Sequence, residues 1–530
     1  MSTPVLSAPA KVDRATQAET SRLTPRGPGR NTTQETLQRV AKETVAPAKL
    51  VIASHREPYQ HVRRDGVIRA VRSAGGLASA LDSIAQATGA TWVALGSGNA
   101  DRETADADGR VAMPPGKERY SLQRLWVDSD GVLDAYRRFA NGCLWPLCHA
   151  VYVRPHFDRD QWEAYRDVNR KFAEAVLRAV GDEPAIVLLQ DYQLALAARM
   201  LRDAKPDLSL VLFWHIPWPN AEVFRILPWK HELLDGLLAT DLIGFHINYH
   251  GFNFMETVAR ELEVHVDRER SALKRRGHRT YVRSYPIAPD ALEIARTADM
   301  PATKQAALDL RRELGLGDAR VILGVDRLDY TKGIPERLDA FERLLEQRLP
   351  GSDNVVMVQI GVPSRVDLQD YQALQSVVSE RVDQINARFG SPGSPVIHLI
   401  IDSLGFDDLI PYYVLGDVMA VTPLHDGMNL VAKEYVAARL EDDGVLVLSP
   451  YAGAARELEH AIQANPYDID TLALALSRAL TLDREAQRVR MRPLREVVAS
   501  HNIYDWGRAL FRDIRRLHLT PEVRTARESV

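Results

Sequence analysis

Cysteine is nearly absent from this chain: two in 530 residues, Cys143 and Cys148, both inside one apolar segment. One such pair is no disulfide framework, and neither spacing nor neighbours offers a zinc site. Long hydrophobic runs are missing as well, and no apolar stretch reaches the roughly 20 residues of a membrane span. Excess charge of either sign is also missing. Lys and Arg number 67 against 71 Asp and Glu, a formal net charge of −4. Nothing therefore draws the whole protein toward nucleic acid or an anionic membrane. Residues 1–48 have few large apolar side chains and no apolar signal core, being rich in Ser, Thr, Pro, Ala and Arg. They read as a disordered or loosely attached tail, and Asp13, Glu19 and Glu35 speak against a transit peptide. A reduced, cytoplasmic protein is expected.

What is present is regular alternation. Hydrophobic residues make up 45 % of the chain, enough for two large cores. Apolar strand-like runs at 49–54, 91–95, 185–190, 208–215 and 241–246 form a first set, separated by helical patterns. Runs at 321–325, 354–360, 396–401, 417–421 and 444–449 form a second. Strands spaced by helices imply parallel sheets covered on both faces, so the fold class is α/β with two doubly wound domains. Two prolines interrupt the pattern at 284–290, which sets the boundary near residue 286. A last helical pattern runs over about 492–517.

Two segments carry chemistry. In PLHDGMNLVAKEYV (423–436) a strand meets a helix through a tight turn holding Asp426 and Gly427. A helix start gathers free N–H groups and positive dipole, which suits a diphosphate. Gly427 lets such an anion approach the backbone. Asp426 and Glu434 bracket that helix end as acceptors for sugar hydroxyls, although an N-cap aspartate and a solvated glutamate would look the same. In VILGVDRLDYTKGI (321–334), Arg327 and Lys332 follow a buried strand, at the carboxyl edge where open α/β sheets bind ligands. A planar fork and a point charge there suit a diphosphate leaving group, or else are two solvated loop cations.

Together these segments resemble the trehalose-6-phosphate synthase family of retaining glycosyltransferases. SHREP (54–58), SAGGL (73–77), YRRFANGCLWP (136–146), LQDYQL (189–194), FWHIPWP (213–219) and GVPSR (361–365) also fit, in the family's order. The resemblance implies two Rossmann-like domains facing a central cleft, the type B glycosyltransferase fold. A 49–286 acceptor domain would be joined by the terminal helix, about 497–518, and a 287–496 domain would hold a nucleoside-diphosphate glucose. It implies glucose 6-phosphate as acceptor, no cofactor, no metal and a homo-oligomer.

Residue by residue, the resemblance gives Arg327 and Lys332 to the diphosphate, Asp426 to the glucose ring and Glu434 to the ribose. Asn429, Leu430 and Val431 would touch phosphate and sugar at the helix start, and Gly75 and Gly76 would close onto the donor. Leu404 would border the base, and His215 would stand beside the donor glucose. Arg56, Tyr136 and Arg365 would hold the acceptor phosphate and Asp191 its hexose hydroxyls. Trp145 and Ile216 would shape the pocket for the α anomer. Departures from the family pattern are Gln190 and Gln193 beside Asp191, His425 before Asp426, Ala288, and His55.

The family lacks a convincing carboxylate nucleophile, so retention implies front-face attack rather than double displacement. Asp128-Ser129-Asp130 resembles a metal-binding DxD, but Gly131 follows directly and the segment reads as a hairpin turn. The alternatives are a same-fold synthase using another phosphorylated acceptor such as glycerol 3-phosphate, and a non-catalytic sugar-phosphate-binding regulator.

Overall fold

The computed structural model describes residues 33–72, 76–127, 129–365, 368–391 and 393–519. The first domain begins with strand β1 (Lys49–Arg56), and the hairpin of β2 (Tyr59–Arg64) and β3 (Val67–Arg72) stands outside its sheet. Then come β4 (Thr91–Leu95), β5 (Arg110–Met113), β6 (Tyr120–Leu125), β7 (Ala185–Gln190), β8 (Ser209–Phe213) and β9 (Leu242–Phe245). The short strands β10 (His265–Asp267), β11 (Ala272–Arg275) and β12 (His278–Ser284) complete ten, ordered β10-β11-β12-β9-β8-β7-β1-β4-β6-β5. The run from β12 to β6 is parallel, and the outermost strands at either end are antiparallel. β1 is buried on both faces: Leu50 and Ile52 pack into one core and Val51 and Ala53 into the other. That two-sided burial is why it reads as a continuous apolar run.

The second domain has β13 (Arg320–Arg327), β14 (Val355–Val362), β15 (Ile397–Ile400), β16 (Val418–Val421), β17 (Val445–Leu448) and β18 (Ile462–Gln463). All pair in parallel, in the order β15-β14-β13-β16-β17-β18. Each sheet therefore reverses direction of growth once, at β1 and β7 in the first and at β13 and β16 in the second. Such switch points leave a crevice at the carboxyl ends of the strands. Arg56 ends β1, Asp191 follows β7, Arg327 ends β13 and Asp426 follows β16. The two crevices supply the residues of a single cleft.

The link at 284–290 is held by the end of the chain. Tyr285 donates to Asp513 at 2.9 Å, and Tyr504 donates to Asp290 at 2.6 Å. Lys433 also donates to the Ile287 carbonyl at 2.9 Å, so the boundary is packed against both domains.

Three sequence expectations are corrected. The tail does not extend to residue 48: Gln34–Val45 is a helix, with Leu37, Ala41, Thr44 and Val45 buried. It packs on the Gly76–Thr88 and Ile503–Arg516 helices, and Gln34 donates to Ser83 at 2.9 Å. Tertiary burial of that one stripe outweighs a polar composition. The terminal helix is two, Arg484–Ser500 and Ile503–Arg516, because Asn502 makes a capping box with Asp505 and starts the second. Ser129 is no hairpin residue but the N-cap of the Asp130–Phe139 helix, while Asp128 lies outside the described residues.

Candidate active site

The loop after β16 is held open by backbone bonds rather than by a turn of its own. Asp426 N donates to the Tyr451 carbonyl at 3.1 Å, Ala454 N to Met428 at 2.8 Å, and Leu424 N to Thr331 at 2.8 Å. Asn429 sits at φ 78° as the N-cap of the Leu430–Ala438 helix, its side chain accepting from Ala432 N at 3.2 Å. Leu430 and Val431 thus open the helix, in the first turn whose N–H groups have no helical partner. Asn429 Nδ2 donates to Asp426 at 3.1 Å, and Lys332 Nζ donates to the same carboxylate. Burial opposes the charge on Asp426, but Lys332 and the nearby Arg327 hold its carboxyl well below the usual range. Lys332 and Asp426 therefore form one charge-compensated pair.

Gly427 meets protein rather than open space. A β-carbon there would stand 2.5 Å from the carbonyl oxygen of His215, in the other domain. Glu434 accepts from Tyr413 at 2.8 Å, and burial pushes its pKa up. Leu404, Leu430 and Val431 are half-buried against the same large core cluster. Gly76 is the first residue of its helix, while Gly75 lies outside the described residues.

Across the cleft, Asp191 takes φ 72°, a conformation that non-glycine residues adopt rarely. Its carboxylate accepts from Tyr192 N at 2.9 Å and His215 N at 3.0 Å. Burial raises its pKa to about 6, against those bonds and the charges of Arg365 and Arg327. His215 faces the Gln190 side-chain oxygen through Nε2 at 3.0 Å, and burial holds the ring neutral, well below its usual pKa. Tyr136 is buried against Tyr165, and its hydroxyl lies 3.2 Å from His55 Nδ1. Trp145 and Ile216 are buried in that domain's core. Arg56 makes no ion pair with any described residue, yet the charges of Arg327, Arg365 and Arg137 act on it. Four arginines from the quoted segments thus converge.

Sequence reasoning missed what holds them. Asp329, two residues after Arg327, is fully buried and accepts from Arg365 at 3.1 Å, with Arg327 at 3.8 Å. Arg365 also reaches the hydroxyls of Tyr371 and, at 3.3 Å, of Tyr192, and Tyr192 donates to Asn141 at 2.9 Å. Asp329 and Tyr192 lie inside the quoted segments, so position was available to find them, but not their role. Contacts and charges thus link Arg327, Lys332, Asp426, Asn429, Arg365, Asp191, His215, Trp145 and Arg56 to one another, and among the described residues none joins Leu404 or Glu434 to that group.

The chain matches the model of glycosyltransferase family 20 over residues 48–516. The chain belongs to that family. The trehalose-6-phosphate synthase of Mycolicibacterium vanbaalenii is 40 % identical over 470 residues, 87 % of this chain and 95 % of that protein. The Escherichia coli enzyme bound with UDP-2-fluoro glucose superposes with a TM-score of 0.77 at 32 % identity, covering 88 % of this chain and 99 % of that one. An α,α-trehalose-phosphate synthase (UDP-forming) from Burkholderia xenovorans, in complex with glucose 6-phosphate, has the same TM-score at 30 % identity, with 88 % and 100 % covered. The α/β type B fold read from the sequence is that of these neighbours. The family model starts after the Gln34–Val45 helix.

Proposed function

We infer that this glycosyltransferase transfers glucose, with retention, from UDP-glucose to glucose 6-phosphate, giving α,α-trehalose 6-phosphate. The observation that carries the reading is the convergence of Arg327, Lys332 and Asp426 with Arg56, Arg365 and Asp191 on one cleft. Two anions and two sugar rings need this set: cations for a diphosphate and a monophosphate, and carboxylates for sugar hydroxyls. A non-catalytic regulator would have no use for so complete a donor side.

In the proposed mechanism Arg327 and Lys332 neutralise the diphosphate as its bond to the anomeric carbon lengthens. Preorganised cations of this kind are worth on the order of 3 kcal/mol each. The acceptor's anomeric hydroxyl attacks from the face the diphosphate leaves. Its proton passes to the departing phosphate oxygen, so one C–O bond breaks, one forms, and nucleoside diphosphate is released. Asp426 orients the donor glucose, Asp191 the acceptor hexose, and Trp145 and Ile216 limit the acceptor to the α anomer. Neutral His215 serves as a hydrogen-bonding group rather than a cation. Among the described residues no helix is long and apolar enough to cross a membrane. On this reading the working compartment is the cytoplasm, where nucleotide sugar and hexose phosphate meet.

Turnover with ADP-, UDP- and GDP-glucose, each against glucose 6-phosphate and glycerol 3-phosphate, tests the assignment. Highest kcat/KM with UDP-glucose and the hexose phosphate supports it, and preference for glycerol 3-phosphate overturns it.

A further inference from the structure

We propose that Asp329 is a positioning residue that ties the donor-side and acceptor-side cations into one rigid unit. Its side chain is fully buried, and each oxygen has a separate duty. Oδ1 accepts from the Trp145 indole N–H at 3.4 Å and from Thr331 N and Oγ1 at 3.0 and 2.9 Å. Oδ2 faces Arg365 at 3.1 Å and Arg327 at 3.8 Å.

Trp145 completes the unit from the other domain. The Arg365 guanidinium lies 3.9 Å from the centre of its ring and that of Arg327 5.1 Å. Two guanidiniums on one indole repel each other, and with Arg365 only 12 % exposed that repulsion is screened less than at the surface. One carboxylate between them removes it and fixes both forks. Arg365 and Arg327 in turn keep Asp329 ionised against its burial. Asp329 touches neither substrate on this account. It acts through two residues that do, so that the cations stand where charge develops before either anion arrives.

This inference rests on the assignment of Arg327 to the diphosphate and Arg365 to the acceptor phosphate. The test is a set of double-mutant cycles on the full chain with UDP-glucose and glucose 6-phosphate. Asp329→Asn keeps the shape and removes the charge. Its kcat should fall about 100-fold, while affinity for UDP, read by calorimetry, changes less than about fivefold. A substitution that only loosened the fold would lower UDP affinity and the unfolding temperature together. In the Arg365→Ala and Arg327→Ala backgrounds the same change should cost about tenfold or less, because residues acting as one unit are not additive. A wild-type kcat for Asp329→Asn, or an undiminished loss in both backgrounds, overturns the proposal.

Should Asp329→Asn fail to fold, Trp145→Phe carries the test. It keeps the aromatic face and removes the N–H that holds Oδ1. A kcat loss of about tenfold that shrinks in the Arg365→Ala background supports the unit, and an unchanged kcat overturns it. If Arg327→Ala and Arg365→Ala themselves leave turnover intact, the functional assignment has failed. If they abolish it while Asp329→Asn does not, only this inference has.

Discussion

Gly427 and His215 touch across the cleft: a β-carbon on the glycine would stand 2.5 Å from the histidine's carbonyl oxygen. The contact joins the donor loop after β16 to the end of β8, between the two halves of the site. Gly427→Ala should push these backbones apart. Displacement by about 1 Å at a reacting centre costs on the order of 100-fold in rate. We expect a kcat loss of that size with both substrates still bound, measured by steady-state kinetics and calorimetry. A kcat within about twofold of wild type would show that the halves can part here without harm.

Asp191 should make stability depend on pH. Its pKa is raised from 3.8 to about 6 by burial, so the folded state holds this proton more tightly than the unfolded chain does. The folded protein is therefore favoured relatively at low pH, and this contribution is lost as pH rises from about 4 through 6. The measurement is unfolding free energy of wild type and Asp191→Asn across pH 4 to 7. Wild type should lose roughly 3 kcal/mol relative to the variant over that window, because Asn carries no such titration. A constant difference would mean that the carboxylate titrates at its ordinary value.

Arg365→Ala should raise the acceptor KM about 10- to 100-fold, the worth of one charge-assisted phosphate contact, and the donor KM much less. Arg327→Ala should show the opposite preference. Equal effects on both substrates from each variant would contradict the division of labour between β13 and the segment after β14.

The ten expected strands were legible because their burial on both faces leaves continuous apolar runs, as Val51 to Ala53 and Val321 to Leu323 illustrate. Several of their ends lie one or two residues from the expected positions, and β1 and β13 run on to Arg56 and Arg327 themselves. The β2–β3 hairpin was not legible. Its Arg63, Arg64, Arg69 and Arg72 face outward, so no apolar period marks it. Arg327 and Lys332 could be read from residue type and position past a strand end, whereas Arg56 and Arg365 came only from the family resemblance. Asp329 could not, because a carboxylate beside two cations gains its meaning only from Arg365 and Trp145, which are distant in sequence. Gly427 shows the reverse case: the glycine was legible, but the atom that requires it belongs to His215.

The Gln34–Val45 helix ties part of the segment read as a tail into the fold. Leu37 is fully buried and meets Gly507, where a β-carbon would approach it to 2.9 Å. Leu37→Ala should cost about 2–5 kcal/mol, as buried leucines do. Chemical denaturation of the full chain is the check, and a loss below about 0.5 kcal/mol would place the helix outside the cooperative core.

The central claim is glucose transfer with retention between two anionic sugars held by one cleft. Proton NMR of a reaction containing UDP-glucose and glucose 6-phosphate tests it most directly. The account requires a non-reducing product with two α-anomeric protons, appearing in step with UDP. A β-anomeric signal, or release of free glucose in place of the disaccharide phosphate, would contradict it.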